Sequence, residues 1–216
     1  MMWSYRDRNH AGQVLAEELR RINIPGPSCL ILAVPNGGVV VAEAVAQSLR
    51  ADLDVIIVRK LQIPNNTEAG FGALTSFGNV ILNDELVRSL RLDEKTIEHV
   101  IAKTRVQVSE RQRAFSGLAG TSDPSGKDTI LVDDGLASGY TMIAAVQSLT
   151  ALSPASITVA VPTAHDTSVE RVRPLVNHLV CPRIESGWSF AVAEAYEHWY
   201  DVPDSEVLEI LNRFRR

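Results

Sequence analysis

Two cysteines in 216 residues leave no material for a disulfide framework. Cys29 and Cys181 sit singly in apolar runs, a setting that supports reduced core thiols and gives no support to a zinc site. No stretch reaches the roughly 18 apolar residues that a membrane span needs. The residues from Met1 to Arg8 lack the apolar segment of a secretory leader, so a cytoplasmic protein with no membrane partner is expected. Positive charge is not in excess either: 21 Lys and Arg stand against 26 Asp and Glu, a net charge of −5. Such a field repels phosphate backbones, so no nucleic-acid partner is expected, and an anionic ligand must be held by local dipoles or a few placed cations. Internal repeats and low-complexity tracts are absent. What remains, 45% apolar and 22% charged, is ordinary for a globular enzyme. The length suits one well-buried domain, residues 1–216, with an appended subdomain.

Hydrophobic periodicity orders the chain. Val14, Leu15, Leu19 and Ile22 predict a helix over Arg8–Ile22, which Pro25-Gly26-Pro27 stops. Cys29–Val34 is a continuous apolar run, the pattern of a strand buried on both faces. Pro35-Asn36-Gly37-Gly38 is a turn into a helix at Val39–Leu49, and Leu53–Val58 is a second buried strand ending at Arg59-Lys60. Gln62–Gly72, with its Pro, Asn and Gly residues, reads as a mobile loop. Ala73–Leu82 suits a hairpin turning at Gly78-Asn79. Two helices follow, Asn83–Arg91 and Asp93–Phe115, the second with Ile97, Val100, Ile101 and Val108 on its apolar face. After a polar loop over Gly117–Lys127, strands at Ile130–Val132, Ile157–Val161 and His178–Val180 alternate with helices at Ser138–Leu152 and Thr167–Leu175. Asp204–Phe214 is a last helix. This alternation predicts an α/β fold with a mainly parallel five-stranded sheet flanked by helices. Ligands of such sheets bind at the carboxyl ends of the strands.

The end of the third strand carries the strongest signal. Ile130-Leu131-Val132 runs into Asp133-Asp134 and then Gly135-Leu136-Ala137-Ser138-Gly139-Tyr140-Thr141. Two adjacent carboxylates at a strand terminus repel each other and need a polyhydroxyl ligand or a cation. The small residues after them expose successive N–H groups at a helix N-terminus, an anion cradle to which Ser138 and Thr141 add hydroxyls. Carboxylates for hydroxyls beside amides for a phosphate describe a sugar-phosphate site.

This segment closely resembles the binding motif for 5-phosphoribosyl-1-pyrophosphate (PRPP) of type I phosphoribosyltransferases. The resemblance implies that Asp133 and Asp134 hold the ribose hydroxyls and support a Mg²⁺ ion, while Ala137, Ser138, Gly139, Tyr140 and Thr141 wrap the 5′-phosphate. Ser138 replaces the commoner threonine and keeps its hydroxyl; Tyr140 replaces a small residue, so its ring must point away or narrow the pocket. The turn of Asn36, Gly37 and Gly38 matches the family's pyrophosphate loop, with Asn36 where a basic residue is usual. Arg59 and Lys60 suit the pyrophosphate charge, though a solvated strand end explains them as well. Gln62–Gly72 falls where the family has a lid, with Glu68 within it. His165 and Phe190 fall in the acceptor region, and Asp166 reads as a helix cap. Ala137 stands where hypoxanthine–guanine enzymes place an aspartate, which disfavours a 6-oxopurine acceptor.

The order of parts also matches. Tyr5-Arg6-Asp7-Arg8, Val58-Arg59-Lys60-Leu61 and the tail through Tyr196, Trp199 and Val202-Pro203-Asp204 look like a stand-alone bacterial and archaeal phosphoribosyltransferase group with no assigned acceptor. The resemblance implies a helical insertion at 83–116, a hood at 182–216 with Trp188 among its aromatics, and a homodimer. It also implies Mg²⁺-dependent transfer from PRPP to a small nitrogenous acceptor in nucleotide salvage; a PRPP-binding regulator without turnover is the alternative. For the regulator, Lys103, Arg105, Arg111 and Arg113 would be the contact face, but Glu98 and Glu110 interrupt it and a solvated helix face is the better reading. A receiver domain would need a later lysine, and none follows Lys127. Neither glycine turn has dinucleotide-binding spacing.

Overall fold

The short apolar runs form the middle layer of the molecule. The computed structural model describes residues 4–22, 28–64, 66–115, 122–187 and 190–215, with the backbone alone at 67–69. Helix α1 (Arg8–Arg21) begins at Asp7, whose side chain accepts from the His10 N–H, and buries Ala11, Leu15, Ala16 and Leu19. Strand β1 (Leu30–Ala33) is buried along its length. Helix α2 (Gly37–Leu49) and strand β2 (Asp52–Val55) follow. Next come β3 (Val58–Ile63), β4 (Asn66–Thr75) and β5 (Val80–Leu82), then α3 (Asp84–Ser89) and α4 (Glu94–Ala114). The second half contains β6 (Asp128–Val132), α5 (Tyr140–Thr150), β7 (Ser156–Ala160), β8 (Thr163–His165) and α6 (Asp166–Val172). Strands β9 (His178–Val180) and β10 (Arg183–Glu185) precede the last helix, α7 (Asp204–Phe214).

The main sheet has the order β2-β1-β6-β7-β9, with every pairing parallel. Successive strand residues face opposite layers. Ile31, Ala33, Ile130 and Val132 therefore pack with α1, α2 and α7 on one side. Leu30, Leu32 and Leu131 pack with Met142, Val146 and Leu149 of α5 and Val169 and Val172 of α6 on the other. No helix among the described residues is long and apolar enough to cross a membrane.

Several elements differ from the expectation. The apolar run Leu53–Val58 is not one strand: β2 ends at Val55, and Val58 opens β3 in a separate antiparallel sheet, β3-β4-β5. Ile56 and Ile57 fall in opposite core layers at that break, so the hydrophobic pattern never lapses to reveal it. Gln62–Gly72 is likewise not a loop. Most of it pairs as the β3–β4 ladder, with register shifts on either side of Gln62. Gly72 explains the misreading, since a Cβ there would sit 2.3 Å from the Ile81 carbonyl oxygen of β5. The glycine permits strand approach rather than marking a turn. The hairpin turning at Gly78-Asn79 forms as expected, and Asn79 Nδ2 ties it to α5 by donating to the Ser148 carbonyl at 2.8 Å. Two short strands escaped the sequence reading, β8 and β10, which pair with each other. Pro25-Gly26-Pro27, Gly117 and its neighbours to Thr121, and Trp188 lie outside the described residues.

Candidate active site

The sheet order reverses at β1, which has β2 on one side and β6 on the other. Such a switch point opens a crevice beyond the strand carboxyl ends. Ala33 pairs with Val132, and the Val34 N–H donates to the Val132 carbonyl at 2.8 Å, so both strands stop together. The Pro35-Asn36 turn and the first residues of α2, Gly37 and Gly38, where the helix starts two residues earlier than expected, are thereby laid against Asp133-Asp134. Contact is close: a Cβ on Gly37 would fall 1.8 Å from Asp134 Oδ2, and one on Gly38 would fall 2.9 Å from Asp133 Cα. Gly37→Ala should therefore destabilise the protein by about 1–3 kcal/mol, the usual range for overpacking. At about 2–4 °C per kcal/mol for a chain of this size, thermal denaturation reads the effect directly. An unchanged melting temperature would mean that the turn can retreat from the acidic pair.

The two carboxylates have different surroundings. Asp133 Oδ1 accepts from the Asp134 N–H at 2.8 Å. Desolvation, then the neighbouring Asp134 charge, holds the Asp133 carboxyl well above the usual range, with the Arg8 charge acting the other way. Asp134 Oδ2 instead accepts from Arg8 Nε at 2.8 Å. Arg8 is only 3% exposed; its Nη1 donates to the Tyr200 carbonyl at 2.8 Å, and its guanidinium carbon lies 3.9 Å from the Trp199 ring centroid. The Tyr196 hydroxyl donates to the Asp134 carbonyl at 2.5 Å. Burial and the Asp134 charge push that phenol far up, which keeps it a donor. Tyr5 pairs in an isolated bridge with Tyr196 and donates to the Pro162 carbonyl at 2.7 Å; burial pushes its phenol up to about 12.

Beyond the pair, Leu136 exchanges backbone hydrogen bonds with β8, donating to Thr163 and accepting from His165. Ala137, Ser138 and Thr141 are exposed. Helix α5 starts from Gly139 without a side-chain cap, so its first amides have no such partner. Ser168 Oγ donates to the Ala137 carbonyl, and Arg171 Nη1 donates to the Ser138 carbonyl at 3.1 Å. Tyr140 is 64% exposed, and its ring meets the Arg171 guanidinium 5.5 Å away.

A cleft of about 1320 Å³ brings together Arg59 and Lys60 of β3, Arg111 of α4, and Ser138, Tyr140 and Thr141. Arg59 and Lys60 thus reach a shared cavity from inside a hairpin strand, not from the end of a central strand. Asp133, Asp134 and the Asn36–Gly38 turn are not among its walls. His165 and Phe190 meet each other edge-on, ring centroids 5.9 Å apart, also outside that cleft. His165 occupies the N-cap position of α6 in place of Asp166. Its Nδ1 lies 2.8 Å from Thr167 Oγ1 and its Nε2 2.9 Å from the Gly187 carbonyl. The side chain of Glu68 lies outside the described residues. No group of three or more His, Cys, Asp or Glu side chains suited to a metal occurs among the described residues.

Three residues were given no role at this site from sequence. Arg8 lies on the buried stripe of α1 with Ala11, Gly12 and Leu15, and an arginine on an apolar stripe was the available signal. Arg111 lies near Thr104, Val108 and Phe115 on the inner side of α4, while Lys103, Arg105 and Arg113 are exposed. The basic stretch is therefore not a single face. Arg111 Nη2 donates to Asn36 Oδ1 at 2.5 Å, and its Nη1 pairs with Asp204, the third of these residues. Asn36 Nδ2 in turn donates to the Val202 carbonyl at 2.7 Å and to Asp204 Oδ1 at 2.9 Å.

Residues 9–195 match the phosphoribosyl transferase domain family. Rv0571c of Mycobacterium tuberculosis, which carries the provisional name of phosphoribosyl transferase, is 35% identical over 212 residues, covering 98% of this chain and 47% of that protein. The chain thus spans about half the length of the curated relatives it matches. The crystal structure of TT1426 from Thermus thermophilus superposes with a TM-score of 0.86 at 33% identity, covering 97% of this chain and 98% of that one. AQ2163 of Aquifex aeolicus, at 11% identity and a TM-score of 0.53 over 84% of this chain and 76% of that one, shares the fold alone.

Proposed function

The chain belongs to the phosphoribosyl transferase family, and we propose that it transfers the phosphoribosyl group of PRPP to a nitrogen of a small acceptor, a nucleobase, with release of pyrophosphate. The observation that carries this reading is the junction at the switch point. There β6 runs into Asp133-Asp134, the acidic pair packs on Gly37 and Gly38 at the start of α2, and the chain then enters a helix with no side-chain cap. In this reading Asp133 and Asp134 take the ribose hydroxyls, and residues 137–141 take the 5′-phosphate at the positive end of α5. Asn36, Gly37, Gly38, Arg59 and Lys60 face the pyrophosphate. Helices α3 and α4 form the insertion at 83–116. Residues 182–216 form the hood, with His165 and Phe190 toward the acceptor and Glu68 on a hairpin lid.

The reaction is a displacement at C1. The acceptor nitrogen bonds to C1 as the C1–O bond to pyrophosphate breaks, and the acceptor's own N–H proton leaves to solvent. The protein's part is positioning and charge stabilisation. Mg²⁺ would neutralise part of the leaving pyrophosphate's charge. Two adjacent carboxylates, short of a full cage, fit an ion that takes most of its oxygens from phosphates and water. Calorimetric titration of PRPP with Mg²⁺ should give saturable binding, and a nucleobase panel scored by pyrophosphate release should then identify the acceptor. Binding with no release from any base would favour a regulator; no binding would sink the proposal.

A further inference from the structure

The turn after β1 presents Asn36, a dipole without charge, to a ligand that is a multiply charged anion. The missing charge is nevertheless close by. Arg111 comes in from α4, and its two terminal nitrogens diverge, one to Asn36 Oδ1 and one to Asp204. Asp204 accepts from Asn36 as well, so its two carboxylate oxygens take one hydrogen bond each from Asn36 Nδ2 and Arg111 Nη1. A carboxylate held between a neutral amide and a guanidinium fork occupies the same donors that a phosphate oxygen would use. The Arg111 hydrogen bond is the largest of the influences holding the Asp204 carboxyl below its ordinary range, and the Arg59 charge also contributes. Arg59 therefore lies within electrostatic reach of the same carboxylate, and both arginines line the large cleft with Ser138 and Thr141.

We propose that Arg111 is the principal cation for the pyrophosphate of PRPP, supplied by α4 in place of a basic residue at Asn36, and that Asp204 holds it in the ligand-free protein as an internal anion. Pyrophosphate binding exchanges one anion for another: the guanidinium leaves Asp204 for the ligand. The inference rests on the PRPP reading above and adds to it a named cation and a competitor. Asp204 begins α7, directly after the Tyr200–Val202 segment that is hydrogen-bonded to Arg8 and Asn36. The same exchange thus couples leaving-group binding to the C-terminal helix.

The test is calorimetry with three probes, Mg²⁺-PRPP, Mg²⁺-pyrophosphate and ribose 5-phosphate, on wild type, Arg111→Ala, Arg111→Lys and Asp204→Asn. Arg111→Ala should weaken the first two by about tenfold or more, the range for loss of a charge-assisted hydrogen bond, and leave ribose 5-phosphate unchanged. Arg111→Lys should fall between. Asp204→Asn should tighten PRPP and pyrophosphate severalfold, because the internal competitor is gone, without touching ribose 5-phosphate. Equal weakening of all three probes, or none, in Arg111→Ala would overturn the assignment. Should that variant fail to fold, Asp204→Asn decides alone, and unchanged pyrophosphate affinity overturns it. Wild-type protein that binds none of the probes would remove the PRPP reading itself, whereas wild-type binding with unselective variants would remove only the Arg111 clamp.

Discussion

Ligand-free Asp133→Asn protein is expected to melt at a higher temperature than wild type while its affinity for PRPP falls by roughly 10–100-fold, the equivalent of one or two charge-assisted hydrogen bonds. Both effects come from one cause. The Asp133 carboxyl is raised by desolvation and by the Asp134 charge, so the folded state holds its proton more tightly than the unfolded chain does. A group raised in this way favours folding least where it is ionised. The penalty is absent below the ordinary carboxylate range near pH ~3.9, grows as the pH rises above that value, and is complete once the pH passes the raised value. Asparagine keeps the Oδ1 that accepts from the Asp134 N–H and removes the charge. The gain in melting temperature, about 2–4 °C for each kcal/mol relieved, should be largest at neutral pH and disappear in acid. On the proposed reading, the same missing charge weakens hydrogen bonds to the ribose hydroxyls, each worth about 1.5–3 kcal/mol when the acceptor is ionised. Thermal denaturation across pH, beside a PRPP titration, reads both. A variant that melts lower at pH 7 than wild type would show that Asp133 is not a strained carboxylate.

Stability sacrificed at the proposed binding site also indicates which parts of this protein could be read in advance. Asp133-Asp134 after Ile130-Leu131-Val132 was legible because two charges at the end of a buried strand violate local preference without any structural gain in the sequence. Regular apolar runs likewise placed the central strands and their helices. Failure occurred where one residue type serves two purposes. Gly70 and Gly72 carried a loop signal, yet Gly72 allows β4 to approach β5, so the expected loop is built as a hairpin. Arg59 and Lys60 were placed at a strand end because Ile56 and Ile57 keep the run apolar through the break. Arg8 and Arg111 escaped because their partners, Asp134, Tyr200, Asn36 and Asp204, are remote in sequence. Only the folded chain brings the tail onto the turn after β1.

Arg8 is where that tertiary closure should be most costly to break. It is an arginine with 3% exposure, and truncation to alanine removes three things together: the ion pair to Asp134, the bond to the Tyr200 carbonyl and the cation–π contact with Trp199. Breaking a buried pair by removing one partner costs about 3–5 kcal/mol, mostly because the surviving charge is left without compensation. Arg8→Ala should therefore lower the melting temperature by several degrees for a chain of this size. The direction is opposite to that of Asp133→Asn, although both residues border the same acidic pair. Asp134→Asn placed in the Arg8→Ala background should recover part of the loss, since no orphaned charge then remains, and the double-mutant cycle isolates the pair. Arg8→Lys keeps the charge but not the planar fork, and it should lie between wild type and alanine. If Asp134→Asn recovers nothing, the stabilisation comes from packing on Trp199 and the Tyr200 carbonyl, and Arg8 braces the tail rather than the carboxylate. If it recovers most of the loss, Arg8 acts chiefly as the counter-charge paired with the Asp134 carboxylate.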